Sequence, residues 1–181
     1  MLSRIPRGFP AALAVCASAA IADVLSLDLR TMVQRYADLA VAGTIQSVTY
    51  SEIPLDDGSP AAYTNLRVKG ENLYTREPQE VVASFVGGFL DGERIFSAEE
   101  PTAAETQVGR KVVVFTAPWP SRFGNAPARC LVAQHGGIFL VQPGPQGEIV
   151  LGKGEGYAVP RNVRLADLRA QAAGLWRTKP R

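Results

Sequence analysis

One histidine, His135, and one cysteine beyond the leader, Cys130, set the limits on the chemistry open to this 181-residue chain. A Cys–His dyad needs both side chains within hydrogen-bond reach. On a single strand, five residues of separation place them about 16 Å apart on opposite faces. A turn at Gly136-Gly137 lies beyond both residues and does not fold one back on the other. A Ser-His-acid triad would draw on the same histidine, and neither a Gly-x-Ser-x-Gly elbow nor a Ser-x-x-Lys pair occurs. Catalytic zinc takes three protein ligands, and blue copper takes two histidines with a cysteine. The sequence satisfies neither pattern, so no cofactor and no metal are expected, and no catalytic residue is assigned.

The acidic clusters read as surface. Asp56-Asp57-Gly58-Ser59 is an acidic turn without the alternating ligands of a calcium loop. Glu99-Glu100, just before Pro101, reads as a solvated loop, and Gly152-Lys-Gly-Glu-Gly156 lacks the spacing of a phosphate loop. The positive signal is the Pro-rich segment 117–127, where Trp119 and Phe123 flank Arg122. Aromatic residues beside Arg dominate binding hot spots, and exposed rings also stack on sugars. Trp119, Arg122, Phe123 and the nearby His135 are therefore the candidate ligand-binding residues. The competing reading folds Trp119 back as a cap on the end of a barrel.

The elements that must position these residues are short. Leu29, Met32, Val33 and Tyr36 fall at i, i+3, i+4 and i+7, a helix stripe that Ser26 can cap. From Leu39 the pattern alternates, with Leu39, Val41 and Ile45 on one face and Gly43 marking a bend. Further strands are expected near 62–73, 80–86, 93–97, 110–116, 129–133, 138–142 and 148–152. The Val112–Phe115 run is the best central strand. Segment 134–137 is read as a turn or a bulge. Leu165, Leu168, Ala172 and Leu175 predict a closing helix over 163–175, with Asn162 as its cap. Short strands separated by Gly and Pro, with no helical crossovers between them, predict a mainly β fold. The expected architecture is a small antiparallel OB-like barrel with a short helix at each end.

Residues 1–22 read as a signal peptide. Arg4 and Arg7 precede an uncharged, largely apolar run, and Ala20-Ile21-Ala22 offers a small–x–small cleavage site. The apolar run is too short to span a bilayer of about 20 residues. Cleavage after Ala22 predicts a periplasmic or secreted protein with no transmembrane segment in the mature chain. It also removes Arg4 and Arg7, two of the 19 basic residues, and so balances 17 basic against 17 acidic groups. Nucleic-acid binding is therefore not expected. Cys130 has no intrachain disulfide partner and reads as a small buried hydrophobe. The predicted division is a leader at 1–22, a β-barrel domain at 23–160, and a C-terminal helix and basic tail at 161–181. That tail carries six basic residues and one acid, Asp167.

The runs Asp38–Val48, Tyr63–Gly70, Val86–Gly88, Val108–Phe115 and Gly137–Val141 follow an order similar to that of a group of uncharacterised secreted bacterial domains. Their strands carry "Gly-x-Val", "Tyr-Thr … Val … Lys-Gly" and "Gly-x-x-Val-Val-Phe" signatures. Such domains resemble OB-like barrels of the netrin and metalloproteinase-inhibitor kind. The resemblance implies a fold and carries no activity. It also breaks at the inhibitors' N-terminal zinc-chelating cysteine, where the mature chain would begin with Asp23.

These readings converge on an exported, non-catalytic binding or accessory domain with an unknown protein or glycan partner in the cell envelope. The alternatives are a carboxylate-based hydrolase of the envelope, or a structural envelope protein held by its basic tail.

Overall fold

Strand β1 (Leu39–Pro54) organises the molecule because its first half is paired on both sides. The computed structural model describes residues 27–54, 58–118 and 129–180. The expected leader and the candidates Trp119, Arg122 and Phe123 lie outside these residues.

β1 runs antiparallel to β2 (Pro60–Asn72), from Val41 opposite Asn72 to Pro54 opposite Pro60. Its other edge pairs with β6 (Lys111–Pro118), from Leu39 opposite Thr116 to Thr44 opposite Lys111. A register shift between Ile45 and Ser47 bends the strand, as bulges do. At the bend's start, Gly43 and Gly70 face each other across the ladder. A Cβ on Gly70 would lie 2.1 Å from the Ala42 carbonyl oxygen, so the two backbones approach too closely for any side chain.

From β2 the ladder continues antiparallel to β3 (Pro78–Val86), then parallel to β7 (Arg129–Leu131), which returns antiparallel to β6. The ring β1–β2–β3–β7–β6 thus closes on itself. One expectation is corrected here, because the barrel is mixed and not wholly antiparallel. Five strands in a closed ring cannot all alternate in direction, and the parallel seam falls between β3 and β7. The order is compatible with an OB-like barrel.

The remaining strands sit outside the ring. β4 (Gly88–Leu90) and β5 (Glu93–Ile95) form a separate hairpin, followed by the one-turn helix α2 (Ala103–Thr106). β8 (Ile138–Gly144), β9 (Gly147–Val150) and β10 (Val163–Arg164) extend the sheet from β6. A 3-10 turn at Gln134–Gly137 joins β7 to β8, settling the turn-or-bulge alternative as a turn.

Alternation divides the apolar residues between two cores. Val41, Ile45, Leu66, Val68, Val112, Val114 and Ile138 fill the barrel interior. Ala40, Ala42, Val113, Phe115 and Phe139 point the other way, beneath Met32, Val33, Leu165, Leu168 and Ala172 of the terminal helices. The Val112–Phe115 run is wholly buried because its odd and even members serve different cores. Each large side chain so buried contributes about 1.5–3 kcal/mol.

Both helices sit where the apolar stripes put them, but their caps differ from the sequence reading. α1 (Leu29–Thr31) widens into a π turn (Met32–Tyr36) and is capped by Asp28, whose Oδ1 accepts from the Thr31 N–H at 2.7 Å. That bond holds the Asp28 carboxyl below its usual range. α3 (Leu165–Arg177) begins after Arg164, and Asn162 instead accepts from the Gly152 N–H at 2.9 Å. The shorter start has a cause, since Val163 and Arg164 are committed to β10. No described helix is long and apolar enough to cross a membrane.

Candidate functional site

Three separate chain segments bring polar side chains together beside the β7–β8 turn. The first is α2. Thr102 and Glu105 hold the ends of a capping box, in which the Glu105 carboxylate accepts from the Thr102 N–H at 2.9 Å and from its hydroxyl at 2.8 Å. Glu105 is only 4% exposed. The second is the loop after β9, pinned by bonds from Lys153 N–H to Val159 O and from Gly154 N–H to Pro160 O. It carries Lys153 and Tyr157. The third is the turn itself, which carries His135.

The Lys153 ammonium pairs with Glu105 and also donates to the His135 carbonyl at 2.5 Å. Burial lowers the Lys153 pKa, and the Glu105 carboxylate opposes that shift. The ammonium also lies 5.3 Å from the Phe139 ring centroid. An unpaired charge buried at this depth would cost several kcal/mol, so the two ions explain each other. The other carboxylate oxygen, Oε2, faces Nε2 of His135 at 3.4 Å. On the ring's other edge, Nδ1 is 3.5 Å from the Tyr157 hydroxyl. Burial first, and the Lys153 charge second, lower the His135 pKa, while Glu105 and Glu99 work against them. The imidazole is therefore neutral near pH 7.

The turn that carries His135 is strained. Ala133 and Gln134 both have left-handed backbones, with φ of 52° and 43°, a conformation costly for residues with side chains. Two fixtures hold it: the His135 N–H donates to Glu99 O at 3.0 Å, and Gly137 packs so tightly that a Cβ would meet Val132 O at 2.2 Å.

Above this cluster lies a recess of about 140 Å³ lined by Leu27, Ala98, Glu99, Ala133, His135, Gly136, Gly156, Tyr157 and Ala158. A wider groove of about 590 Å³ shares Gly156, Tyr157 and Ala158 with it and runs past Asp28, Arg161 and Gln171.

Of the four candidate residues, His135 is thus placed in a recess. Trp119, Arg122 and Phe123 belong to the connection between β6 and β7, outside the described residues. Cys130 and His135 have different partners: Sγ lies 3.6 Å from the Ala117 and Pro118 carbonyl oxygens. Burial raises the thiol's pKa. The Glu99-Glu100 pair is not the solvated loop expected. Glu99 lines the recess, and Glu100 pairs with Arg94, which lies 4.8 Å from the Phe96 ring centroid. Among the described residues, no group of three or more His, Cys, Asp or Glu is placed to hold a metal ion.

Sequence reasoning missed Glu105, Lys153 and Tyr157. Glu105 had a local signal, the Thr102-x-x-Glu105 spacing of a capping box. Lys153 and Tyr157 had none, because only the fold brings the post-β9 loop to α2. No protein family, curated protein or solved structure matches this chain.

Proposed function

We propose that this chain is an exported, non-catalytic binding module whose ligand enters the recess at His135. One observation carries the reading: the strong acid and base beneath the recess are already committed to each other. Glu105 is held by Thr102 and Lys153, and Lys153 by Glu105 and a backbone carbonyl. A general acid or base must be free to exchange its proton with substrate. These groups instead shape a floor, and the walls above are small residues with the Tyr157 ring, His135 and Glu99.

The ring order gives secondary support. In OB-like barrels the connection between the fourth and fifth strands borders the ligand face. Here that connection is 119–128, which contains Trp119, Arg122 and Phe123. The partner proposed is a protein or glycan of the envelope, with Trp119, Arg122 and Phe123 as further candidate contacts. The uncharacterised secreted domains with the same order of strand motifs are the natural relatives of such a module.

The test is native mass spectrometry of the protein after incubation with a small-molecule extract of its own host. Ala98 is an exposed wall residue, so Ala98→Trp covers the recess without disturbing a core. A ligand retained by the wild type and lost in Ala98→Trp supports the reading. Retention that ignores the substitution, or no ligand at all, removes it.

A further inference from the structure

We propose that the recess selects a small organic cation carrying N–H donors, a primary ammonium group, over an anion of the same size. This rests on the binding reading above and names the chemistry of its ligand.

The argument starts from the fixed tautomer of His135. One oxygen of Glu105 is paired with the Lys153 ammonium, and the other faces Nε2 at 3.4 Å. A proton on Nε2 is drawn to that carboxylate, so the neutral ring keeps its lone pair on Nδ1. Among the described residues, Nδ1 has the Tyr157 hydroxyl near it, at the long distance of 3.5 Å. The recess therefore offers an imidazole nitrogen as an acceptor on the side where Tyr157 also lines the wall.

Charge points the same way. Lys153 is paired with Glu105 beneath the floor, His135 is neutral, and among the described residues no Arg or Lys lines the cavity. Glu99 remains as a lining carboxylate that acts on His135. The recess thus presents two acceptors, the Glu99 carboxylate and Nδ1, and no lining cation among the described residues. The Tyr157 ring, which already has the Lys153 ammonium 6.0 Å from its centroid, adds aromatic surface to the wall. Leu27, Ala133 and Ala158 suit a short aliphatic stem. At about 140 Å³ the cavity is close to the volume that holds a benzene-sized guest.

The experiment titrates the full protein with propylammonium, propionate and tetramethylammonium while amide resonances are followed by NMR at pH 7.5. Four heavy atoms limit propylammonium to millimolar affinity or a little better. Propylammonium is expected to shift Gly136, Tyr157 and Ala158 saturably, and propionate to leave them unmoved. Tetramethylammonium, a cation without N–H groups, is expected to bind about fivefold more weakly or worse. Glu99→Gln should weaken propylammonium about fivefold, as loss of a partly exposed ion pair does.

Propionate binding as tightly as propylammonium overturns the charge assignment, and equal binding of tetramethylammonium overturns the donor assignment. Absence of any saturable shift overturns both. If a host ligand is retained through the recess while propionate wins here, the binding reading stands and this one falls.

Discussion

Tyr74 and Trp176 stack face to face, with ring centroids 4.5 Å apart and planes 4° from parallel. Tyr74 sits in the turn after β2 and Trp176 in the last turn of α3, so this pair fastens the C-terminal helix to the barrel. Lys179 adds to the join: its ammonium lies 4.8 Å from the Trp176 centroid and donates to Ala37 O at 2.9 Å. The basic tail is therefore partly packed on the protein. Trp176→Ala should cost about 2 kcal/mol, reflecting a half-buried ring. Tyr74→Phe should be neutral or stabilising by up to about 1 kcal/mol, because the buried Tyr74 hydroxyl has no hydrogen-bond partner among the described residues. Urea unfolding of both variants distinguishes a stacking role from a polar one.

The Glu105–Lys153 pair makes a double-mutant cycle informative. Glu105→Gln leaves a buried ammonium, Lys153→Met leaves a buried carboxylate, and each should cost about 3–5 kcal/mol. The double variant should cost less than the two singles combined by about 1 kcal/mol or more. Strict additivity in chemical denaturation would show that the two ions do not compensate each other.

His135 makes stability depend on pH. Its folded pKa lies below the ordinary 6.5, so the unfolded chain binds the proton more readily. Stability from this group is full above pH 6.5 and declines as pH falls toward the lowered folded value. Glu105, Glu99, Lys153 and Tyr157 are the groups that face it. His135→Gln should flatten the part of the Tm profile that falls below pH 6.5. An unchanged slope in that variant would assign the acid sensitivity elsewhere.

Gly70→Ala should destabilise by about 3 kcal/mol, since the new Cβ has only backbone to displace. Gly109→Ala serves as a control: its Cβ would meet nothing within 4 Å, although its φ of 85° still adds strain. Thermal unfolding should rank Gly70→Ala well below the control.

Much of the fold was legible because two-residue and 3.6-residue periods are local properties. Val41 and Ile45 do share the barrel interior, and Leu165, Leu168 and Ala172 do form one buried stripe. The cap errors arose where a tertiary demand outweighed local propensity, as when Val163 and Arg164 were drawn into β10 and Asn162 turned to Gly152. The parallel seam was hidden for a different reason, because strand count and ring closure fix direction and no residue type encodes it. The site was least legible. His135 stood out by its rarity, but its recess depends on Lys153, 18 residues later, and Glu105, 30 residues earlier. Meetings at such separations leave no periodic trace.

Among the described residues, the parallel contact between β3 and β7 spans two residue pairs, Ala83 with Arg129 and Ser84 with Cys130. Of the five seams of the ring it is the shortest overlap among the described residues. Amide protons on either side of that seam should exchange with solvent before those of β1 and β2. β7 begins at this seam with Arg129, so the two strands that flank it, β3 and β7, should lose protection together.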